Sequence, residues 1–383
     1  MSGVQGFVAS GVACGIKESG VPDLALVATA DGRPVPAAAV FTSNLAPAAP
    51  VQVSRAHLEA TGGYASAVIV NSGNANAATG ASGREHAEGM CALVAEGLGC
   101  RPEEVLVCST GLIGIPLPFA AVEGGIGPLV AARHGRGLPD AAVAMMTTDV
   151  SPKDVLHRGD GFVVGGIAKG AAMLAPNMAT MLAVLTTDAE ASPAELRAAL
   201  RAAVADSFNA LTVDGATSTN DTVIALAGGA AGAQPGLAAV MADVCTELAT
   251  LMADGAEGAT KRARIRVKGA ASDSDARQAA RKVAESQLVQ CSLYGADPYW
   301  GRIISELGSA GVAFDPDRIS IAYGNVEVCR DGVAEPHDAG AAKAALSGRE
   351  VEITADLGLG DGAGVITTTD LTPEYIAENM RTS

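Results

Sequence analysis

The sequence predicts an α/β or α+β sandwich, organised as about two domains or one large two-lobed one. Three observations carry this expectation. A chain of 383 residues exceeds one minimal domain and has room for a sizeable core. Its first third mixes short strand-like aliphatic runs with a helical stretch, the pattern of alternating α and β. Its last third changes texture and becomes rich in strands.

In chain order, Leu24 to Val27 and Ala67 to Val70 read as strands and Arg84 to Leu98 as a helix. A second helix starts at Ser192, where Ser-Pro-Ala-Glu places a capping serine, a proline at the first helical position and Glu195 as capping-box partner. It is expected to run to Ser207. Leu226 to Gly236, rich in Ala and Gly, reads as a linker or tight loop, followed by a helix from Leu237 to Met252. Strands are then expected over Ala263 to Val267, Ile319 to Ala322, Val326 to Cys329, Val351 to Ala355 and Val365 to Thr369, with a helix over Arg277 to Glu285.

Hydrophobic residues make up 49% of the chain but aromatics only 3%, so packing must rely on closely approaching backbones and aliphatic side chains. A formal charge of −16 repels phosphate backbones and anionic lipid, and neither nucleic acid nor a membrane surface is an expected partner. No run reaches the roughly 18 apolar residues of a membrane span, and Met1 to Lys17 lacks a basic stretch followed by an apolar block. The expectation is cytoplasmic residence. The seven cysteines form no C-x-x-C pair and read as buried apolar fillers in a reducing compartment. Five histidines stand far apart without ligand spacing, so no metal is expected.

Gly358 to Ala363 fits a dinucleotide fingerprint in form. That motif must open a helix, whereas Val365 to Thr369 reads as a strand, and a strand-to-strand turn is the better reading. No P-loop or nucleophile elbow appears, so the familiar hydrolase and phosphoryl-transfer routes have no anchor.

The informative block runs from Lys169 to Ala189, KGAAMLAPNMATMLAVLTTDA, where a small-residue loop meets an apolar run from Met181 to Leu185. Two readings of Thr180 stand side by side. In one it merely begins a strand, as β-branched residues often do. In the other its Oγ attacks the Ala179 carbonyl, the acyl group shifts from N to O, and water opens the ester. An N-terminal threonine then remains, whose α-amine serves as general base for its own hydroxyl without a histidine. Acyl chemistry also needs donors aimed at the developing oxyanion. Ser109-Thr110-Gly111, after the apolar run Val105 to Cys108, offers a hydroxyl and an unencumbered N–H; an ordinary strand-ending turn is its plainer reading.

Together with STGLIG (Ser109 to Gly114), the block joins GFVASGVACGIK (Gly6 to Lys17), VNSGNANAATG (Val70 to Gly80), MTTD (Met146 to Asp149), SFNALTVDGATSTNDT (Ser207 to Thr222), EGATK (Glu257 to Lys261) and GADPYWGRI (Gly295 to Ile303). In this order, and over almost the whole chain, the motifs closely resemble the bifunctional glutamate N-acetyltransferase and ornithine acetyltransferase family of the cyclic arginine pathway. The resemblance implies Thr180 as nucleophile, Ala179–Thr180 as autocleavage point, and Thr110 with Gly111 as oxyanion hole. It implies substrate-binding roles for Thr147 (or Thr148), Lys169, Thr180, Glu257, Asn379 and Ser383. Physically, Lys169 suits an α-carboxylate and Glu257 a cationic side chain; without the resemblance, solvated surface charge is the plainer reading of both.

The implied fold is a layered α-β-β-α sandwich shared with certain self-processed aminopeptidases. The implied products, an α chain of residues 1–179 and a β chain of residues 180–383, stay together in a heterotetramer of two α and two β chains. The implied reaction moves an acetyl group from N2-acetylornithine to L-glutamate by a ping-pong route through acetyl-threonine, without a cofactor. Some family members also use acetyl-CoA as donor. Several positions depart from the family pattern: Ala216 replaces an acid, Tyr299 replaces an asparagine, Asp254 to Gly258 is slightly longer than usual, and the tail Asn379 to Ser383 is one residue short and lacks its tyrosine. A self-processed aminopeptidase or amidase of the same fold, with water as acceptor, is the rival reading.

Overall fold

The computed structural model describes residues 3–173 and 181–380. Ala179, Thr180 and Ser383 lie outside the described residues. The chain divides into two compact units, one of residues 1–209 and 216–252 and the other of Ala210–Gly215 with Ala253–Arg381.

In chain order the first unit contains β1 (Phe7–Val12), β2 (Leu24–Thr29), β3 (Val35–Phe41), α1 (Ala49–Ala60), β4 (Tyr64–Ala65), β5 (Ala67–Asn74), α2 (Gly80–Leu98), β6 (Val105–Leu112), α3 (Phe119–Ala132) and α4 (Leu138–Met145). It continues with β7 (Lys153–Arg158), β8 (Val163–Lys169), β9 (Leu182–Thr187), α5 (Pro193–Ala205), β10 (Thr222–Ala227) and α6 (Leu237–Asp254), whose last two residues fall in the second unit. A four-stranded sheet has the order β1-β2-β5-β6, and a six-stranded sheet the order β4-β3-β10-β9-β8-β7.

Side-chain alternation explains how the layers stack. Ala25 and Val27 of β2, Val68 and Val70 of β5, and Leu106 and Cys108 of β6 share one core with Ile167, Leu182, Val184, Ile224 and Leu226 of the second sheet. The alternate residues Leu24, Leu26, Ile69, Val105 and Val107 face outward onto α1, α2 and α3. On the far side of the second sheet, a Cβ at Gly166 would meet Val244 and Leu248 of α6 at 2.8 and 2.9 Å. The first unit is thus the expected α-β-β-α sandwich. β2 and β5 are buried on both faces, which is why they appear in the sequence as unbroken apolar runs.

The second unit contains β11 (Arg262–Ala270), α7 (Asp273–Ala284), α8 (Gln287–Tyr294), α9 (Gly301–Gly308), β12 (Ser320–Tyr323), β13 (Val326–Arg330), β14 (Val333–Ala334), α10 (Ala339–Ala345), β15 (Glu350–Asp356), β16 (Gly362–Thr369) and α11 (Pro373–Asn379). Its sheet has the order β14-β13-β12-β15-β11-β16. Ile265, Val267, Ile321 and Ile353 of that sheet pack with Ala276, Ala280 and Val283 of α7.

The capping box at Ser192 is present with both of its bonds, and α5 ends at Ala205. β16 begins directly at Gly362, so the glycine run before it is a strand-to-strand connection. Three expectations need correction. α2 starts at Gly80, four residues before Arg84. Leu226 and Ala227 belong to β10, because an Ala-rich run in mid-sheet pairs as well as any other. Of the cysteines, Cys91, Cys108, Cys245 and Cys329 are buried, but Cys14 and Cys100 are half-buried and Cys291 is exposed.

Candidate active site

The two sheets of the first unit bring their functional side chains to one place by period-two alternation. Thr110 follows Leu106 and Cys108 on the inner face of β6, and Lys169 follows Ile167 on the inner face of β8. Lys169 Nζ therefore reaches across the core and donates to Thr110 Oγ1 at 3.0 Å and to Thr147 Oγ1 at 2.7 Å. Lys169 is only 3% exposed, which corrects the plainer reading of a solvated surface charge.

Gly111 holds its place for a steric reason. Its φ is +130°, and a Cβ there would lie 2.3 Å from the Gly73 carbonyl carbon and 2.5 Å from the Asn74 nitrogen. Only a glycine lets β5 and β6 approach this closely, at the point where their parallel register shifts. Three asparagines brace the turn. Ser109 Oγ donates to Asn71 Oδ1 at 2.5 Å, and Asn71 Nδ2 donates to the Asn74 carbonyl at 2.8 Å. Asn220 Nδ2 donates to the carbonyls of Ala75 and Ser109 at 2.6 and 2.9 Å.

The loop carrying Thr147 is fixed by Asp149. Its Oδ1 accepts from Lys153 Nζ at 2.5 Å and from the Gly170 N–H at 2.8 Å, and its Oδ2 accepts from the Thr147 N–H at 3.1 Å. Burial by itself would raise the carboxyl pKa; the charges of Lys169 and Lys153, with these hydrogen bonds, overcome it and hold the value at about 2. Lys17 anchors the other side of the loop, donating to the Met146 and Pro22 carbonyls at 2.7 and 3.0 Å. Asn71, Asn220, Asp149, Lys153 and Lys17 were assigned no role from sequence, although all but Lys153 lie within the motifs that carry the resemblance.

Met181 is buried and leads into β9, which lies between β8 and β10. Lys169 pairs with Leu182, and Leu182 with Thr222. Residue 180 is thus the chain neighbour of a position lodged in the same sheet end as Lys169.

Glu257 and Asn379 lie in the second unit and contact each other, with Asn379 Nδ2 donating to Glu257 Oε2 at 2.9 Å. Glu257 is 7% exposed, again buried where surface charge was the plainer reading. Gly258 permits this packing: its φ is +62°, and a Cβ would lie 2.4 Å from the Tyr375 nitrogen of α11. The Tyr375 hydroxyl donates to Asp214 Oδ2 at 3.2 Å. Burial first, then the Asp214 charge, push its phenol upward. Among the described residues no group of three His, Cys, Asp or Glu is placed to hold a metal ion, and no helix is long and apolar enough to cross a membrane. A cavity of about 900 Å³ in the first unit, lined by Tyr64, Glu190, Gln234 and Leu237 among others, shares no lining residue with the Lys169 cluster.

Comparison with known proteins gives a consistent answer. The ArgJ family model matches residues 8–382. The arginine biosynthesis bifunctional protein ArgJ of Mycobacterium tuberculosis is 48% identical over 385 aligned residues, covering 98% of this chain and 94% of that protein. Its namesake from Thermobifida fusca is 44% identical, covering 98% of this chain and 97% of that protein. Among solved structures, the ornithine acetyltransferase of Mycobacterium tuberculosis complexed with ornithine is 45% identical, with a TM-score of 0.43, over 46% of this chain and 95% of that one. With a family model spanning nearly its full length and relatives close to half identical, the chain belongs to the ArgJ family.

Proposed function

We propose that the chain moves an acetyl group from N2-acetylornithine to glutamate through an acetyl ester on Thr180. As an ArgJ-family member the chain is an acetyltransferase of arginine biosynthesis; the mechanism and the residue roles are the finer reading. One observation carries it: a buried ammonium held between two threonine hydroxyls beside the strand that follows residue 180. An ammonium has donors and no acceptor. Lys169 therefore forces Thr110 Oγ1 and Thr147 Oγ1 to accept, and each hydroxyl proton is left to donate to something else. Thr110 O–H and Gly111 N–H form a donor pair for a tetrahedral oxyanion, with the Lys169 charge behind them strengthening the Thr110 donor.

Cleavage before Thr180 would free an α-amine on the residue that carries the nucleophilic hydroxyl. The amine takes the hydroxyl proton as Oγ attacks the acetyl carbonyl of N2-acetylornithine, and returns it to the departing ornithine nitrogen. Glutamate's amine then attacks the acetyl ester, which regenerates the Thr180 hydroxyl. Thr147 and Lys169 are assigned to the carboxylate of ornithine, and Glu257 and Asn379 keep the substrate-binding roles that the resemblance implies. Ser383 completes the assigned substrate contacts from outside the described residues. Residues 1–179 and 180–383 form the α and β chains of a cytoplasmic heterotetramer in this reading. The position of β9 supports their staying together, because it is hydrogen-bonded between β8 of one fragment and β10 of the other.

The test is intact-mass analysis of the protein beside Thr180→Ala, followed by incubation with N2-acetylornithine and glutamate, with and without acetyl-CoA. The expected result is two fragments split before Thr180, an uncut variant, and ornithine release that depends on glutamate. Release of acetate without acetylglutamate would identify an amidase, and a single uncut, inactive chain would return Thr180 to the role of an ordinary strand residue.

A further inference from the structure

The motif from Gly6 to Lys17 ends on a cation beside the site. Lys17 is half-buried and held at three points. The fully buried carboxylate of Asp23 accepts the main-chain N–H groups of Cys14, Gly15, Ile16 and Lys17 at 2.6 to 3.2 Å, which fixes the loop. The aliphatic stem lies against β5: a Cβ at Gly73 would be 3.1 Å from Lys17 Cγ, and Gly73 is the strand partner of Gly111. The ammonium donates to the Pro22 and Met146 carbonyls, which uses two of its three N–H groups. Neither carbonyl carries a charge, and among the described residues no carboxylate lies within ion-pair distance of Nζ. Burial lowers the Lys17 pKa and Lys169 adds to the effect, while Asp23 and Asp149 oppose it from farther away. A held ammonium with one donor to spare and no ion-pair partner suits an incoming carboxylate.

Lys17 and Lys169 hold consecutive residues, the first on the Met146 carbonyl at 2.7 Å and the second on Thr147 Oγ1 at 2.7 Å. By standard bond lengths those two oxygens are at most about 5 Å apart, so the ammoniums stand no more than roughly 10 Å apart. Extended glutamate sets its two carboxylate carbons about 5 Å apart, and a hydrogen bond of about 2.8 Å at each end lets it span that distance. We propose that Lys17 selects the acceptor: with the α-carboxylate of glutamate on Lys169 and Thr147, the side-chain carboxylate takes the third N–H of Lys17. The assignment rests on the acetyl-transfer reading above. Ornithine brings one carboxylate only, and its cationic side chain is repelled by Lys17. The difference matters in a ping-pong reaction, because ornithine attacking the acetyl ester merely restores the donor. An ammonium that draws the second carboxylate of glutamate, and opposes the side chain of ornithine, favours forward transfer over return.

A cycle across protein and acceptor tests this. For wild type and Lys17→Met, kcat/KM is measured with three acceptors: glutamate, glutamine, whose side chain has the same shape without the charge, and labelled ornithine. Loss of the anchor on the Thr147 loop affects all three alike and cancels in their ratios. The preference for glutamate over each of the others is expected to shrink by roughly tenfold or more in the variant, the effect of one charge-assisted hydrogen bond. If Lys17→Met does not fold, Lys17→Gln keeps donors for the two carbonyls, removes the charge and goes through the same cycle. Preferences unchanged within about twofold in a folded, uncharged variant would overturn the Lys17 assignment, since one such bond is worth more than that. The labelled ornithine reads the acetyl-threonine step separately. Wild-type enzyme that acetylates glutamate but exchanges no label into N2-acetylornithine in its absence would overturn the ping-pong reading, while the comparison of glutamate with glutamine would still decide the role of Lys17.

Discussion

Replacing Asp149 with asparagine is expected to cost the first unit about 3–5 kcal/mol, the usual cost of removing one partner from a buried ion pair. The structure explains the size. The Lys153 and Asp149 side chains are 1% and 0% exposed, so Lys153 would keep a buried charge with its closest counter-charge gone. Asparagine must also place an NH2 where Asp149 now accepts either the Thr147 N–H or the Lys153 and Gly170 donors. The depression of the carboxyl pKa from 3.8 to about 2 alone corresponds to roughly 2 kcal/mol of preference for the charged form. The sign follows from linkage: the folded-state pKa is the lower one, so this stabilisation is fully present above pH 4 and is lost as pH falls toward 2. Urea unfolding of the single-chain Thr180→Ala protein, with and without Asp149→Asn, measures the difference at pH 7 and down the acid limb. A loss below about 1 kcal/mol would refute the argument, given that such pairs cost several times more to break. So would an acid limb between pH 4 and 2 that the substitution leaves unchanged. Asp149→Leu combined with Lys153→Met is expected to regain most of the stability, since no charge remains buried, while acetyl transfer stays low because the Thr147 loop has lost its anchor.

Two further substitutions probe the site. Lys169→Met removes two charge-assisted hydrogen bonds worth about 1.5–3 kcal/mol each; steady-state kinetics are expected to show kcat/KM lower by roughly 10²–10³-fold, and a loss under threefold would remove Lys169 from the mechanism. Gly111→Ala drives a methyl into the Gly73 backbone at a φ of +130°, and the thermal midpoint is expected to fall by about 5–15 °C. Gly114→Ala is the control: its φ of +80° carries strain, but nothing lies within 4 Å of the added Cβ, so its midpoint is expected to fall by much less.

Local signals were the legible ones. The cap at Ser192 needs only Pro193 and Glu195 beside it, and it appears as expected. β8 went unread because Gly165 and Gly166 look like turn residues. Here they serve packing: a Cβ at Gly165 would lie 2.9 Å from Val4, and one at Gly166 2.7 Å from Leu185. α3 was hidden in the same way, its Gly125 making room for Cys14, which would stand 2.4 Å from a Cβ there. In a chain so poor in aromatics, glycine and alanine shape the core by letting backbones approach, and periodicity cannot distinguish that use from a loop. The site residues divide along a similar line. Thr110, Gly111 and Lys169 stand in motifs that can be matched. The bracing by Asn220 depends on contacts with Ser109 and Ala75, more than a hundred positions away in the chain, and no spacing rule reaches that far.

The place of β9 in mid-sheet has a consequence for how the protein is made and lost. While the polypeptide is continuous, bringing β9 between β8 and β10 is a unimolecular event, aided by a short tether to β8. The proposed cut before Thr180 would remove the tether and leave the strand in place. Unfolding would then release two separate pieces, and reassembly would depend on their meeting again at cellular dilution. On the proposed cleavage, folding would have to come before cutting, and each molecule would have in effect one opportunity to fold. Its lifetime afterwards would be set by the rate at which the interleaved sheet opens, and scarcely by the equilibrium that first formed it.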